Sequence, residues 1–301
     1  DVVTASEHAC SMGGAQIYLK AGEQMTVEEL FKAVSIASAN DAAVALAEHV
    51  AGSEGMFVVK MNERAAELGM TNTVFRNACG LDADGHVSTA RDIAKMSAAL
   101  CAHEKAFAYS TTWMDSVRGG NFQLVNTNKL IRSYQGITGL KTGSTGKAKC
   151  CLSATAKRND ISLCAVVMGC ETGALRFESA AALLDYGFAS FERVNLTEVV
   201  ELPEIRIRYG VSESAQPVFA GNPSVLLARG KKDHLERQIN LCESADAPLK
   251  AGDTVGSLVV TCDGEEIGSV PIVMQRDMEK LTFGQAFLRL FRHFQLSSTS
   301  K

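Results

Sequence analysis

The chain has 301 residues, of which 46% are hydrophobic and 21% charged, a balance typical of globular proteins with room for two domains. Its formal net charge of -4 gives no basic surface for a nucleic acid, and no apolar run reaches the length of a transmembrane helix. The first residue is Asp and no signal peptide follows it, so we expect a fragment or a processed form.

The cysteines and histidines give little support for a metal site, and no cofactor is indicated. Nine cysteines leave at least one without a partner in the chain, and neither Cys-x-x-Cys nor His-x-x-x-His spacing occurs. Cys150, Cys151, Cys164 and Cys170 lie in apolar, strand-like runs, which predicts that they are small buried hydrophobic side chains. This cysteine usage favours a reducing environment.

The first third of the chain predicts a cluster of alanine-rich helices. Thr26-Val-Glu-Glu29 is a capping box, so we expect a helix from Val27, followed by a second from Asp41 to Val50 and a third capped by Ser53. Ser38-Ala-Asn40 lies at the junction of the first two. Polar side chains in such apolar surroundings usually have a hydrogen-bonding role.

An acidic loop follows, Gly80 to His86, before a further capping sequence at Thr89 to Asp92. Its Asp82, Asp84 and His86 could suggest a calcium loop or an acid–base pair. The twelve-residue calcium pattern with its terminal Glu is absent, so we favour a structural turn.

Three extended runs with short polar turns then predict an antiparallel meander. The first ends in Lys141-Thr142-Gly143, the second covers Lys149 to Lys157 and the third Ile161 to Cys170. Gly146-Lys147 could suggest a P-loop, but that motif needs Gly at position 141, where Lys stands, and Ser or Thr at position 148, where Ala stands. A P-loop is therefore excluded. An ammonium and a hydroxyl at a sheet edge could hold an extended peptide by its terminal carboxylate.

From about residue 195 short alternating runs predict a small all-β domain with no constellation of reactive side chains. The runs are Val199–Leu202, Ile205–Tyr209, Ser224–Leu227, Gln238–Cys242, Val255–Thr261 and Ser269–Val273. The last segment, Leu281 to Leu296, has Phe283, Phe287, Leu290, Phe291 and Phe294 on one face of a helix. This amphipathic pattern favours a helix in a membrane interface over one docked on the protein itself.

Taken together, the motifs resemble the low-molecular-mass penicillin-binding proteins, the serine-type D-alanyl-D-alanine carboxypeptidases of the peptidase S11 family. The resemblance rests on Ser38-x-Asn40 followed by Lys141-Thr142-Gly143, two parts of a three-part motif set. It extends from about Ala5 to Phe188, more weakly beyond, through segments such as Gly80 to Gly85, Ser88 to Asp92 and Asp185-Tyr-Gly-Phe188.

This resemblance implies an α+β fold: a penicillin-binding-protein/β-lactamase-like domain with an antiparallel sheet flanked by helices (1–194), a small β-sandwich-like domain (195–276) and an amphipathic C-terminal helix and tail (277–301). It also implies removal of D-Ala from peptidoglycan pentapeptides ending in D-Ala-D-Ala, with β-lactams as inhibitors. Ser38 would relay a proton in contact with Lys141, and Asn40 would bind the substrate amide. Lys141 and Thr142 would bind the carboxylate, Gly143 would end the strand that pairs with the peptide, and the Ser144 N–H would serve the oxyanion hole.

The third motif, Ser-x-x-Lys on a helix, has no suitable match. Ser144-Thr-Gly-Lys147 lies in a turn and Ser298-Thr-Ser-Lys301 in the tail, so we expect the nucleophile and base to lie outside these residues and the chain to be catalytically silent. A serine β-lactamase and a non-catalytic peptidoglycan-binding scaffold are the alternatives. Because peptidoglycan is extracytoplasmic, we expect the parent protein at the outer face of the cytoplasmic membrane.

Overall fold

The computed structural model describes residues 1–298, with side chains to residue 291, and forms two compact units, Asp1–Ala189 and Ser190–Lys301. The first unit combines helices with an antiparallel sheet, and the second is a β domain followed by a helix. The α+β architecture expected from the sequence is therefore confirmed. The predicted divisions after residues 194 and 276 stay predictions.

The first unit begins with helices and short strands. In chain order they are β1 (Val2–Thr4), α1 (Glu7–Cys10), β2 (Gln24–Thr26), α2 (Val27–Lys32), α3 (Asn40–Ala51), α4 (Glu54–Glu67), α5 (Ala90–Cys101), β3 (Met114–Val117), β4 (Phe122–Val125) and α6 (Leu130–Ser133). The segment Ala33–Ala37, between α2 and α3, is a π-helical turn that the sequence did not indicate.

A three-stranded antiparallel sheet forms the second half of this unit. Its strands are β5 (Ile137–Thr145), β6 (Lys149–Arg158) and β7 (Ile161–Cys170), in that spatial order, and α7 (Gly173–Ser190) follows. This confirms the predicted meander. Leu152 and Ala154 of β6 pack with Leu184 of α7 in one apolar cluster, while Leu30 and Ile36 belong to a second cluster among the helices.

The helix starts follow their predicted caps. The Thr26 hydroxyl accepts from the Glu29 N–H and the Glu29 carboxylate accepts from the Thr26 N–H, both at 3.2 Å, which completes a capping box. Thr89 likewise caps α5, but Asp92 does not return the bond. Its carboxylate accepts instead from the Asn72 N–H and the Thr73 hydroxyl, so only half of the second capping box forms.

The second unit is built of β-strands around apolar clusters. Its elements are β8 (Phe191–Asn195), β9 (Ile205–Arg208), β10 (Ser214–Ala215), β11 (Pro217–Phe219), β12 (Ser224–Ala228), β13 (Leu235–Leu241), β14 (Ser244–Asp246), β15 (Thr254–Cys262), β16 (Glu265–Met274) and α8 (Phe283–Ser298). The largest sheet has the order β11-β16-β15-β13, and Leu258, Val260 and Ile272 are fully buried.

One predicted strand, Val199–Leu202, does not form. Val199 has a positive φ of 66° and is 94% exposed, while Val200 and Leu202 pack into two different apolar clusters. The apolar residues of this segment alternate in sequence, but they do not pack against one apolar cluster as the residues of a strand would.

Among residues 1–298 no single helix is long and apolar enough to cross a membrane. Asn40–Ala51 and Glu54–Glu67 pass that test only as a pair, by length and composition, and they are bent by 83° at the break. Val44, Ala45 and Ala47 of the first helix are buried within the first unit, as in the core helix of a globular domain.

Candidate functional site

The π-helical turn places Ser38 in an unusual conformation. Ser38 caps the turn at φ 62° and ψ 32°, in the left-handed region that residues other than glycine rarely occupy. Wide turns and strained residues of this kind often mark functional sites. Ser38 therefore lies between the π-helical turn and the start of α3, within neither helix.

Asn40 and Asp41 fasten the start of α3 to the segment that precedes β2. The Asn40 side-chain amide donates to the Gly13 carbonyl at 2.7 Å, and its backbone N–H donates to the Ala15 carbonyl at 2.8 Å. The fully buried Asp41 carboxylate accepts from the N–H groups of Ile17 at 3.2 Å and Leu19 at 3.0 Å. The backbone that follows Ser38 is therefore held in place by these four hydrogen bonds.

Lys141 of β5 meets Ser38 across 103 residues of sequence. Its Nζ donates to the Ser38 Oγ at 2.6 Å and to the Thr142 carbonyl at 3.0 Å. Burial of the ammonium, with a smaller effect of repulsion from Arg176, lowers the pKa of Lys141 to about 8. The structure thus joins the two motifs that the sequence indicated.

Thr142 is joined to the helical part by a residue that sequence reasoning missed. Its hydroxyl hydrogen-bonds the Thr127 hydroxyl at 2.6 Å, and the Thr127 N–H donates to the Ile36 carbonyl in the π-helical turn at 3.3 Å. Two neighbouring side chains bond the backbone here: Asn126 Nδ2 donates to the Thr112 carbonyl at 2.9 Å, and Asn128 Oδ1 accepts from the Leu130 N–H at 3.1 Å. Loop 126–128 fixes Thr142 relative to Ser38.

Arg176 is the second residue missed. It lies on α7 with only 8% of its surface exposed, and its Nη1 donates to the Gly143 carbonyl and Ser144 hydroxyl at 3.2 Å and to the Cys151 carbonyl at 3.3 Å. Its Nε is buried without a hydrogen-bond partner among the described residues. The available signal was that Arg176 is the single basic residue of α7 and lies in its first turn. A guanidinium beside a lysine leaves a strongly cationic strand end.

A cavity of about 530 Å³ opens beside Lys141 between α5 and the sheet. Its apolar lining includes Phe31, Ile93, Met96, Leu100, Val166 and Met168. The hydroxyls of Ser97 and Ser153 hydrogen-bond at 2.7 Å in its wall. This volume is in the range of small-ligand pockets, and Lys141 and Thr142 are among the lining residues.

The two Ser-x-x-Lys sequences do not form a reactive pair among the described residues. Ser144 lies in β5 and Lys147 in the turn after it, where its Nζ donates to Asp84 at 3.2 Å. Asp82 of the acidic loop accepts from the Lys147 N–H at 3.1 Å. The loop predicted as a structural turn therefore also contacts the turn that follows β5. Only Ser298 of Ser298–Lys301 lies within the described residues.

Two family models match most of this chain. Residues 1–172 match the family model for D-alanyl-D-alanine carboxypeptidase, and residues 191–280 match that for the C-terminal domain of penicillin-binding protein 5. The Bacillus subtilis D-alanyl-D-alanine carboxypeptidase DacF is 39% identical over 288 residues, covering 94% of this chain and 74% of the relative. Escherichia coli DacC is 35% identical over 290 residues, covering 93% and 72%.

Among solved structures, penicillin-binding protein 5 from Haemophilus influenzae superposes with a TM-score of 0.71 at 30% identity, covering 93% of this chain and 83% of that one. The D-alanyl-D-alanine carboxypeptidase DacD from Francisella tularensis gives a TM-score of 0.67 at 26% identity, covering 93% and 82%.

Proposed function

Because this chain belongs to the D-alanyl-D-alanine carboxypeptidase family of low-molecular-mass penicillin-binding proteins, we propose that its site binds substrate in a parent protein that trims the terminal D-Ala from peptidoglycan stem peptides through a serine acyl-enzyme. The observation that carries the proposal is the 2.6 Å contact between Lys141 Nζ and Ser38 Oγ. It brings a cation and a hydroxyl together beside the outer strand β5, as carboxylate recognition and proton relay both require.

The cationic end of β5 is suited to a peptide carboxylate. Lys141 supplies an ammonium, Thr142 a hydroxyl, and Arg176 adds a second positive charge behind Gly143. Charge-assisted hydrogen bonds are about twice as strong as neutral ones, so these groups would hold the C-terminal carboxylate more firmly than an uncharged site could.

The free edge of β5 is suited to the peptide backbone. β5 is the outer strand of its sheet, paired only with β6 among the described residues, and Gly143 and Ser144 are exposed on it. An extended peptide can pair with such an edge as an added strand. The Ser144 N–H would then donate to the oxyanion, and one such donor lowers the activation barrier by about 3–4 kcal/mol in comparable sites.

On the helical side, Ser38 would pass a proton to the leaving amine and Asn40 would bind the substrate amide. The Asn40 amide now donates to the Gly13 carbonyl at 2.7 Å. An –NH₂ group has two donors, and its carbonyl oxygen can accept, so this bond leaves capacity for substrate.

The proposal includes catalytic silence of these 301 residues alone, since no serine and lysine lie one helical turn apart beside Ser38 in the part described. Incubation with a fluorescent penicillin and denaturing electrophoresis should give no covalent band, while penicillin-binding protein 5 from Haemophilus influenzae run alongside should be labelled. A covalent band on this chain would refute the silence.

Recognition of the carboxylate can be tested without catalysis. We expect the chain to bind a diacetylated tripeptide ending in D-Ala-D-Ala, measured by calorimetry, and Lys141→Met to weaken binding at least tenfold. Lys147→Met is the matched control, because Lys147 is an exposed lysine of the neighbouring turn, paired with Asp84. Equal losses in both variants would count against the assigned site.

The two alternatives separate in a longer chain that contains these residues and a helical Ser-x-x-Lys pair. Release of D-Ala with slow loss of bound penicillin supports the carboxypeptidase. Rapid turnover of a chromogenic cephalosporin would indicate a β-lactamase instead. Peptide binding with neither activity would indicate a scaffold.

We further propose that α8 lies on the outer face of the cytoplasmic membrane, where peptidoglycan is accessible. Arg289 donates to the carbonyls of Gly210 at 3.4 Å and Val211 at 2.6 Å, so one side of the helix faces the β domain. Phe283, Phe287, Leu290 and Phe291 are all more than half exposed. Apolar side chains in this arrangement favour an interfacial helix over a helix docked by its aromatic face.

Vesicle flotation tests the membrane proposal. The chain should float with vesicles of mixed neutral and anionic phospholipids, and the double variant Phe283→Ser/Phe287→Ser should remain in the dense fraction. Tyr209→Ser removes a similarly exposed aromatic side chain elsewhere in the second unit and should float unchanged. Flotation of the double variant equal to that of the unmodified chain would exclude this role for α8.

A further inference from the structure

Four of the nine cysteines lie on β6 and β7, in the sheet whose strand β5 carries Lys141, and none of these four is buried, contrary to the sequence-based prediction. Cys150 and Cys151 of β6 and Cys164 and Cys170 of β7 are all partly exposed. The two apolar runs do form strands, as the sequence predicts. The cysteines nevertheless lie where a reagent from solvent can reach them, so their chemistry matters more than their packing.

Cys150 and Cys170 are direct partners across the β6–β7 ladder. Opposed residues of antiparallel strands have Cα atoms about 4.5–5.5 Å apart, inside the 4.4–6.8 Å range that disulfides span. The ladder is irregular just beside them, with a register shift between Cys150 and Leu152 and a positive φ of 70° at Gly169. This strand end can therefore adjust by the small amount that an S–S bond requires.

The pair adjoins the proposed substrate strand. Cys150 also faces Ser144 of β5, so Ser144, Cys150 and Cys170 form one row across three strands. The Ser144 Oγ lies 3.7 Å from the Cys150 Sγ and accepts from Arg176. A covalent change at Cys150 therefore takes place in contact with the residue that follows Lys141-Thr142-Gly143.

We propose that Cys150 and Cys170 are a redox pair that closes to a reversible disulfide in the presence of a low-molecular-mass disulfide such as oxidised glutathione. One thiolate attacks the glutathione disulfide and releases one glutathione thiol, which leaves a mixed disulfide on the protein. The second thiolate attacks the protein sulfur of that bond and releases the second glutathione. Two protein thiols are oxidised by two electrons, and one disulfide is reduced to two thiols.

The other two cysteines provide matched controls on the same strands. Cys151 lies opposite Gly143 and its thiol donates to the Ala148 carbonyl at 3.3 Å, whereas Cys164 lies opposite Thr155 and contacts the Ser153 hydroxyl at 3.6 Å. Neither has a cysteine as its cross-strand partner. They test whether a disulfide forms only between cysteines that face each other across the β6–β7 ladder, or between any cysteines of the sheet.

Peptide mapping decides the proposal. The chain is incubated with oxidised glutathione, its remaining thiols are blocked with N-ethylmaleimide, and it is digested with trypsin. Cleavage after lysine and arginine gives one peptide of residues 150–157 and one of residues 159–176. We expect these two as a linked species by mass spectrometry, separated again by a reducing agent.

The linked species should persist in Cys151→Ser and Cys164→Ser and be lost in Cys150→Ser and Cys170→Ser. Its survival in either of the last two variants, a link within residues 150–157 alone, or only glutathione adducts in the unmodified chain would overturn the pair. The mapping uses no substrate, so a failed peptide-binding assay counts against the proposed function and leaves this result standing. Any effect of the disulfide on peptide binding rests on that proposed function.

Discussion

The two units of the chain differ in what they bury. Among residues 1–291 every buried polar or charged side chain lies in the first unit, from Asp41 to Arg176. The buried side chains of the second unit are apolar, such as Leu258, Val260 and Ile272. Buried polar groups must be hydrogen-bonded, and they fix geometry more narrowly than apolar contacts do. Hydrogen bonds of buried side chains therefore fix the geometry of the first unit, whereas apolar packing stabilises the second.

This difference can be measured because the single tryptophan, Trp113, lies in the first unit. Its fluorescence reports unfolding of that unit, whereas far-ultraviolet circular dichroism reports both. Two units need not unfold in one transition, so the two signals can separate.

The largest expected effect comes from Asp41→Ala. It leaves the buried N–H groups of Ile17 and Leu19 without their acceptor, at a cost of about 4 kcal/mol in the free energy of unfolding. Denaturant unfolding followed by Trp113 fluorescence should show the loss. Asp41→Asn keeps one acceptor oxygen and should lose less. A loss under 1 kcal/mol in the alanine variant would show that the polar core of the first unit is not its structural basis.

The next effect is a pH-dependent gain in stability for Lys141→Met. The folded-state pKa of Lys141, about 8, lies below the ordinary value of 10.5, so the unfolded state binds more protons between these values and stability rises with pH there. Removing the lysine should stabilise the first unit by about 3 kcal/mol at pH 7. That advantage should shrink steadily from pH 8 to 10.5.

Unfolding curves of both proteins at pH 7, 9 and 10.5 check this sign, with the exposed Lys147→Met as control. A constant difference across the series would mean that Lys141 is not held in a desolvated state. The same result would weaken the comparison between the units, because the ammonium of Lys141 would then not be a desolvated group that the first unit holds in place.

Sequence reasoning found the motif residues but not the residues that join them. Ser38, Asn40 and Lys141 carry recognisable spacing, and the helix caps and strands of the meander are local patterns. Thr127 and Arg176 act through contacts made only when loop 126–128 and α7 fold against β5. No local pattern specifies such contacts. The short strands β10, β11 and β14 were missed for the same reason, since two or three residues carry no periodicity.

A smaller effect is expected from crowding the apolar sheet of the second unit. A Cβ at Gly256 would lie 2.4 Å from the Asn240 carbonyl oxygen, so Gly256→Ala should cost about 2 kcal/mol. Circular dichroism should show an earlier transition while Trp113 fluorescence is unchanged. Gly143→Ala, where nothing lies within 4 Å of the added carbon, should leave both transitions in place. A shift of the Trp113 transition by Gly256→Ala would show that the units do not unfold independently.

The smallest effect concerns the capping box at the start of α2, which is exposed and does not depend on the buried polar side chains of the first unit. Thr26→Ala removes the exposed half of the capping box that starts α2, and caps of this kind contribute about 1 kcal/mol. Thr26→Ser keeps the hydroxyl and should restore most of that stability. Because α2 leads into the π-helical turn and Ser38, hydrogen exchange at Ala39, whose N–H donates to the Ala33 carbonyl, measures whether the cap also steadies the site. Faster exchange at Ala39 in the alanine variant, with unchanged exchange in α5, would show that the Thr26 cap stabilises the backbone next to Ser38.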